Sequence, residues 1–235
     1  MDKKRIIIAI DGPAGSGKST VASLLARRYN YINIETGAMY RALALKALET
    51  GVSLDDEAAL ADLSASSRIE LEAHAEGNLV LLDGRDVTER IRRQDVTEAA
   101  SRVSVHPRVR QWMVQSQRKM GANGGVVMEG RDIGTQVFPR AEVKIFLDAD
   151  PEVRGNRRFL QNPATTHPAQ SVLAGLRERD HRDRTRANSP LVPAPDALII
   201  DSTNLTLDEV VARVTGAIES HLNQSQSQSK VKSTT

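Results

Sequence analysis

At 235 residues, with 32 basic and 30 acidic side chains and a net charge of +2, the chain is long enough to bury the core of one large domain. Its charge is too balanced, and its aromatic content of 3% too low, to suggest nucleic acid as a partner. With no cysteine, with only five apolar residues between Arg5 and Asp11 and with no run of membrane-spanning length, disulfides, thiolate zinc sites, a signal peptide and membrane contacts are not expected, and a cytoplasmic protein is.

The run Ile6 to Ile10 stops at Asp11, and a glycine-rich turn follows through Gly12, Pro13, Ala14, Gly15, Ser16, Gly17, Lys18, Ser19 and Thr20. This predicts a strand, a phosphate loop and a helix. The spacing GxxxxGKS lets glycines adopt backbone angles that a Cβ would forbid, so successive N–H groups converge on a polyphosphate at a helix N-terminus. Lys18 then reaches the β and γ oxygens, and the Ser19 hydroxyl is placed for Mg²⁺. Val21, Leu24 and Leu25 continue at helical spacing to an end near Tyr29.

A short strand over 31–34 precedes a helix over 37–50, which Gly51 closes, and Asp55 is the expected cap of a helix to about Ser66. Residues 64–95 read as an insertion, because Ile69, Leu71, a turn at Glu76-Gly77-Asn78 and Leu79 to Leu82 pattern as a β-hairpin outside the βα rhythm. Helices over 96–103 and 107–120, the second with proline in its first turn, lead to a buried strand at Val126-Val127-Met128 and then to Glu129-Gly130-Arg131-Asp132. Another buried strand spans 143–147, and Asp148 to Pro151 opens a helix carrying Arg154, Arg157 and Arg158. The turn-rich stretch Asn162 to Pro168 separates it from a second arginine-bearing helix over about 171–185, and together residues 154–186 have the make-up of a lid. A last strand spans 197–200, and Thr206 with Glu209 forms a capping box for a helix ending at His221. Residues 223–235 run out into Gln, Ser, Lys and Thr and are expected to be a disordered polar tail on a single domain of residues 1–222.

Five apolar strands alternating with helices predict an α/β fold, a doubly wound five-stranded parallel sheet with helices on both faces, plus a small antiparallel insert and a helical lid. Ligands bind beyond the carboxyl ends of such strands, where the phosphate loop, Thr36 and Gly130-Arg131-Asp132 all fall. No NKxD motif reads guanine, and no strand ends in an Asp-Glu pair for positioning water, so hydrolysis is disfavoured. Arg179, Asp183 and Arg186 follow i, i+4, i+7 spacing and share a helix face, which suits an arginine flap over phosphates.

Taken together, IAID with Gly12 to Thr20, TGAMYR at 36–41, the segment 101–110, GRDIGT at 130–135, VKIFLD at 143–148 and RDHRDR at 179–184 resemble bacterial-type cytidylate kinase over residues 5–221. The resemblance implies ATP and Mg²⁺ as donor and metal, CMP and dCMP as acceptors, and a monomer. It further implies that Arg41, Arg131 and Arg186 hold the acceptor phosphate and that Ser101, Arg110 and Asp132 read the cytosine edge. Thr36 would lie beside the monophosphate, Arg179 and Asp183 at the pentose, and Arg157 and Arg158 in the lid over ATP. Lys18, Arg131 and Arg186 would be the catalytic cations. Glu129 stands where the family often has aspartate. Beside this reading stand another small-molecule phosphate-loop kinase, such as a shikimate or adenylate kinase, and a nucleotide-dependent nucleic-acid-binding protein.

Overall fold

In chain order the elements are β1 (Ile7–Asp11), α1 (Lys18–Tyr29), β2 (Ile32–Glu35), α2 (Thr36–Thr50), α3 (Glu57–Ala65), β3 (Ile69–His74), β4 (Gly77–Leu82) and β5 (Arg85–Asp86). There follow α4 (Gln94–Val103), α5 (Pro107–Met120), β6 (Val126–Gly130), β7 (Val143–Asp148), α6 (Pro151–Gln161), α7 (Ala169–Thr185), β8 (Leu198–Asp201) and α8 (Leu207–Lys232). The computed structural model describes residues 5–74, 77–161 and 169–232. The stretch Asn162 to Pro168 and part of the turn foreseen at residues 76–78 lie outside them.

The sheet is five-stranded and parallel in the order β2-β6-β1-β7-β8. Alternation along β1 divides its neighbours: Ile8 and Ile10 pack with Val21 and Leu25 of α1 and with Val210, Val214 and Ile218 of α8. Ala9 turns to the opposite side, with Ile34, Val126, Met128, Ile133 and Val137. Helices therefore cover both faces. Because β1 is central, with Gly130 and Phe146 as register partners of Asp11, the turn after Asp11 opens between the ends of two neighbouring strands.

The antiparallel sheet β3-β4-β5 carries the predicted hairpin plus one short strand not foreseen from sequence. Asp83 and Gly84 have φ of 52° and 81°, the backbone of a tight Asp-Gly hairpin turn. The insert is not a satellite. Ile69, Val80, Leu82 and Val87 share one apolar cluster with Met39 and Leu43 of α2, Val96 and Val103 of α4 and Met113 of α5.

Two local expectations change, and one element was not foreseen. The α3 cap is Asp56, whose carboxylate accepts the Ala59 N–H at 3.0 Å, while Asp55 pairs with Arg102 at 2.5 Å. Residues 133–137, which show no helical period, form a single π-helical turn. The last helix continues past His221 to Lys232. No Gly or Pro follows Gly216, and Gln and Lys are competent helix formers, so nothing in the chain stops the hydrogen-bond ladder. Its start is as foreseen: Glu209 accepts from Thr206 N and Oγ1, both at 2.8 Å. Among the described residues no helix is long and apolar enough to cross a membrane.

Asp56→Ala should destabilise the protein by about 1 kcal/mol, read as a lower urea midpoint at unchanged slope. Among the described residues, Ile218 and Leu222 are the last of α8 that join the core. Truncation after Asn223 is therefore expected to reduce helical ellipticity without lowering the melting temperature or turnover.

Candidate active site

The phosphate loop is shaped by what surrounds it. Gly12 has φ of 149°, and a Cβ there would stand 2.0 Å from the Leu147 carbonyl oxygen on β7, so only glycine permits this exit from β1. Gly17, left-handed at φ 98°, precedes the first residue of α1 and aims that helix's free N–H groups at the loop. Lys18 is buried and donates to Pro13 O at 2.7 Å and Ser16 Oγ at 3.4 Å. Burial, reinforced by the Arg131 charge, pushes its ammonium down to about 7.

The lid arginines divide into anchors and free cations. Arg154 is a buried strut: it donates to Ala14 O at 3.0 Å and Ala149 O at 2.8 Å, and pairs with Asp180 at 2.6 Å. It thereby ties the phosphate loop to both α6 and α7. Arg157 is also occupied, donating to Ser202 Oγ at 3.0 Å and Ser202 O at 2.8 Å beyond β8. Arg158 instead lines the cleft, where burial and the charges of Arg41 and Arg131 lower its pKa.

On the acceptor side, Arg41 pairs with Glu35 at 2.6 Å, and its Nε has no partner. Burial opposes ionisation of Glu35, yet the Arg41 charge and hydrogen bond hold its carboxyl below the usual range. The Thr36 hydroxyl is spent on Glu129 O at 2.8 Å, so it staples the start of α2 to β6 instead of opening to the cleft. Asp183 sits between two cations, accepting from Arg131 Nε at 2.9 Å and facing Arg186 at 3.5 Å. Burial works against its charge, but Arg131, Arg179 and Arg186 keep it ionised. Arg179 has no such clasp, and burial next to Arg131 lowers it to about 9.

At the far end, Arg110 donates to Asp132 at 2.6 Å with both side chains under a tenth exposed. The guanidinium also donates to Ser104 O at 3.1 Å and lies 5.6 Å over the Tyr40 ring. Ser101 Oγ, Arg110 Nε and Arg186 Nη2 are buried without partners. A set of unmet donors and acceptors beside a carboxylate is what a polar, planar ligand needs.

A cleft of about 830 Å³ is lined by residues that include Ala14, Ser19, Glu35, Arg41, Ser101, Arg158 and Arg179. Glu129 is buried, its pKa is raised by burial and by Glu35 and held back by the charge of Lys18 and the nearby Ser19 hydroxyl, and its Oε1 has no partner. A hydroxyl next to an orphaned carboxylate oxygen is a donor set that suits a hard divalent cation. Of the predicted residues, Ala14, Ser19, Arg41, Ser101, Arg158 and Arg179 line this cleft, while Lys18, Thr36, Arg110, Arg131, Asp132, Arg157, Asp183 and Arg186 are engaged with protein partners. The chain also holds site residues not singled out from sequence, namely Asp11, Glu35, Tyr40, Arg154 and Asp180. Asp11 had a signal, an acid closing an isoleucine run; Arg154 had none to separate it from its arginine neighbours.

A family model described as cytidylate kinase matches residues 8–220. A cytidylate kinase of Geobacillus thermodenitrificans is 51% identical over 214 residues, covering 90% of this chain and 96% of that protein. Cytidylate kinases of Enterococcus faecalis and Pasteurella multocida are 49% and 45% identical, over 92% and 93% of this chain and 96% and 97% of theirs. Among solved structures, an uncharacterized protein from Eubacterium ventriosum shares the fold, with a TM-score of 0.51 at 16% identity over 92% of this chain and 99% of that one.

Because Lys18, Arg41, Arg131, Arg158 and Arg179 repel one another, a bound polyanion is expected to stabilise the protein. Tripolyphosphate should raise the melting temperature more than chloride at matched ionic strength, and Arg131→Ala should lose most of that rise. An equal rise in the variant would remove Arg131 from the anion site.

Proposed function

The chain belongs to the cytidylate kinase family, and we propose that its arginine-lined cleft aligns CMP or dCMP with ATP for in-line phosphoryl transfer, giving CDP or dCDP and ADP. It is an ATP-dependent nucleoside monophosphate kinase. The observation that carries the finer reading is the buried Arg110–Asp132 pair together with the unpartnered Ser101 hydroxyl, which lines a cleft that also carries Ala14 and Ser19 of the phosphate loop and Arg41, Arg158 and Arg179.

In this reading the loop residues Gly12 to Thr20 cradle the donor phosphates through backbone N–H groups, and Lys18 leaves Pro13 O to reach the β and γ oxygens. Arg41, Arg131 and Arg186 hold the acceptor phosphate, with Arg158 closing over the donor. Arg179 and Asp183 face the pentose, and Ser101, Arg110 and Asp132 meet the cytosine edge. Ser19 and Glu129 would hold Mg²⁺, which supplies charge neutralisation at the transferring phosphoryl group. No side chain has to act as base, because the acceptor is already an anionic phosphate oxygen near neutral pH. What the protein contributes is alignment of two polyanions and electrostatic stabilisation of the charge that spreads in the transition state. Closure of α6 and α7 excludes water, which would otherwise compete as acceptor. A cytoplasmic monomer fits this role.

A carboxylate only accepts hydrogen bonds, so Asp132 suits the exocyclic amine of cytosine and repels the carbonyl oxygen that uracil offers there. A panel of CMP, dCMP, UMP, AMP and GMP with MgATP, scored for ADP, should show both cytidine acceptors ahead. Asp132→Asn should lower kcat/KM for CMP by about 1–3 kcal/mol, roughly 5- to 160-fold, and narrow the CMP:UMP ratio. Proportional loss with both acceptors would end the assignment of Asp132 as base reader. Lys18→Met should cost about 10²-fold or more in turnover, about 3 kcal/mol, while the fold persists.

A further inference from the structure

Asp11 takes no part in the roles assigned above, yet it is a buried carboxylate with both oxygens engaged. Oδ1 accepts the Ile133 N–H at 2.8 Å, and Oδ2 accepts the Gly134 N–H at 2.7 Å. Those amides open the π-helical turn Ile133–Val137. The turn's capping position is held by Asp132, at φ −147° and ψ 24°, with its carbonyl accepting Gln136 N at 2.8 Å and Val137 N at 3.2 Å.

An aspartate at such a position ordinarily folds its carboxylate back over the turn to accept the second or third N–H group. Asp132 makes no side-chain cap bond, and its carboxylate instead meets Arg110 at 2.6 Å. The two demands are incompatible, since one short side chain cannot both cap its own turn and point into the cleft. Asp11 resolves the conflict from a different strand. As the register partner of Gly130, it lies beside the point where β6 runs out into Arg131 and Asp132, and it satisfies the Gly134 donor that Asp132 would otherwise claim.

We propose that Asp11 is a specificity-positioning residue: by capping the turn after Asp132 from β1, it releases the Asp132 carboxylate to face Arg110 and the acceptor base. This rests on the reading of Asp132 as the residue that meets the base. It also makes base selection depend on the strand that carries the phosphate loop, because Asp11 and Gly12 are consecutive.

The test is Asp11→Asn, which preserves size but sets an amide NH₂ against one of the two N–H donors. Steady-state kinetics should show kcat/KM for CMP reduced about tenfold or more, chiefly through KM for CMP, with the CMP:UMP ratio narrowed and KM for ATP altered about twofold or less. In the double variant with Asp132→Asn the CMP:UMP ratio should fall little further than in Asp132→Asn alone, because the first residue acts through the second. A lower melting temperature with an unchanged CMP:UMP ratio would make Asp11 merely structural and overturn the proposal. An Asp132→Asn ratio equal to that of wild type would instead overturn the reading of Asp132 itself. Should Asp11→Asn not fold, Asp11→Ser is the second variant, since its smaller side chain has one oxygen and cannot accept both the Ile133 and the Gly134 N–H. It should narrow the ratio in the same direction, and an unaltered ratio would count against the proposal.

Discussion

The structure depends on confining positive charge. Lys18, Arg41, Arg131, Arg158, Arg179 and Arg186 converge on one cleft, and several of them lower one another's pKa through burial and mutual repulsion. Such a cluster is tolerable only because carboxylates are interleaved with it: half-buried Glu35 on Arg41, and buried Asp183 between Arg131 and Arg186 and Asp132 on Arg110. Each acid offsets part of the desolvation cost and fixes an orientation that a free guanidinium would not keep. Among the described residues Arg158 and Arg179 form no ion pair with a carboxylate, although Asp183 lies near Arg179 and Glu35 near Arg158, and both cations remain available to an incoming anion.

The same confinement explains why the catalytic parts come from so many elements. The central position of β1 brings its end between β6 and β7, so the loop after β1, the GRD segment after β6 and the helices after β7 meet without long reaches. Arg154 then couples two of these layers directly, with one guanidinium bonded to the loop at Ala14 O and to α7 at Asp180. A bound polyphosphate that shifts the loop would be felt by the lid through this single side chain.

Much of this was legible in the residues. Isoleucine and valine runs bounded by turns marked all five parallel strands, and the glycine spacing marked the phosphate loop, because hydrophobic period and glycine conformation are local properties. What escaped was set by tertiary partners. No local pattern announces that the Thr36 hydroxyl donates to Glu129 O or that the Arg157 guanidinium donates to Ser202. The turn at 133–137 carries no helical period because its first donors are satisfied by Asp11, 122 and 123 residues away. Asp55 and Asp56 are equivalent cap candidates in sequence, and only the direction of the chain into α3 selects the second.

The placement of β1 also bears on the order in which the chain folds. Its hydrogen-bonded neighbours begin at Val126 and Val143, so the first strand leaving the ribosome waits for more than half of the chain before it can pair. The cluster of α2, the antiparallel sheet, α4 and α5 closes on itself within residues 38–113 and needs no such delay. Nascent chains are thus expected to acquire the insert and its helices first, with Ile6, Ile8 and Ile10 held exposed as a chaperone-accessible segment until β6 and β7 arrive to complete the sheet.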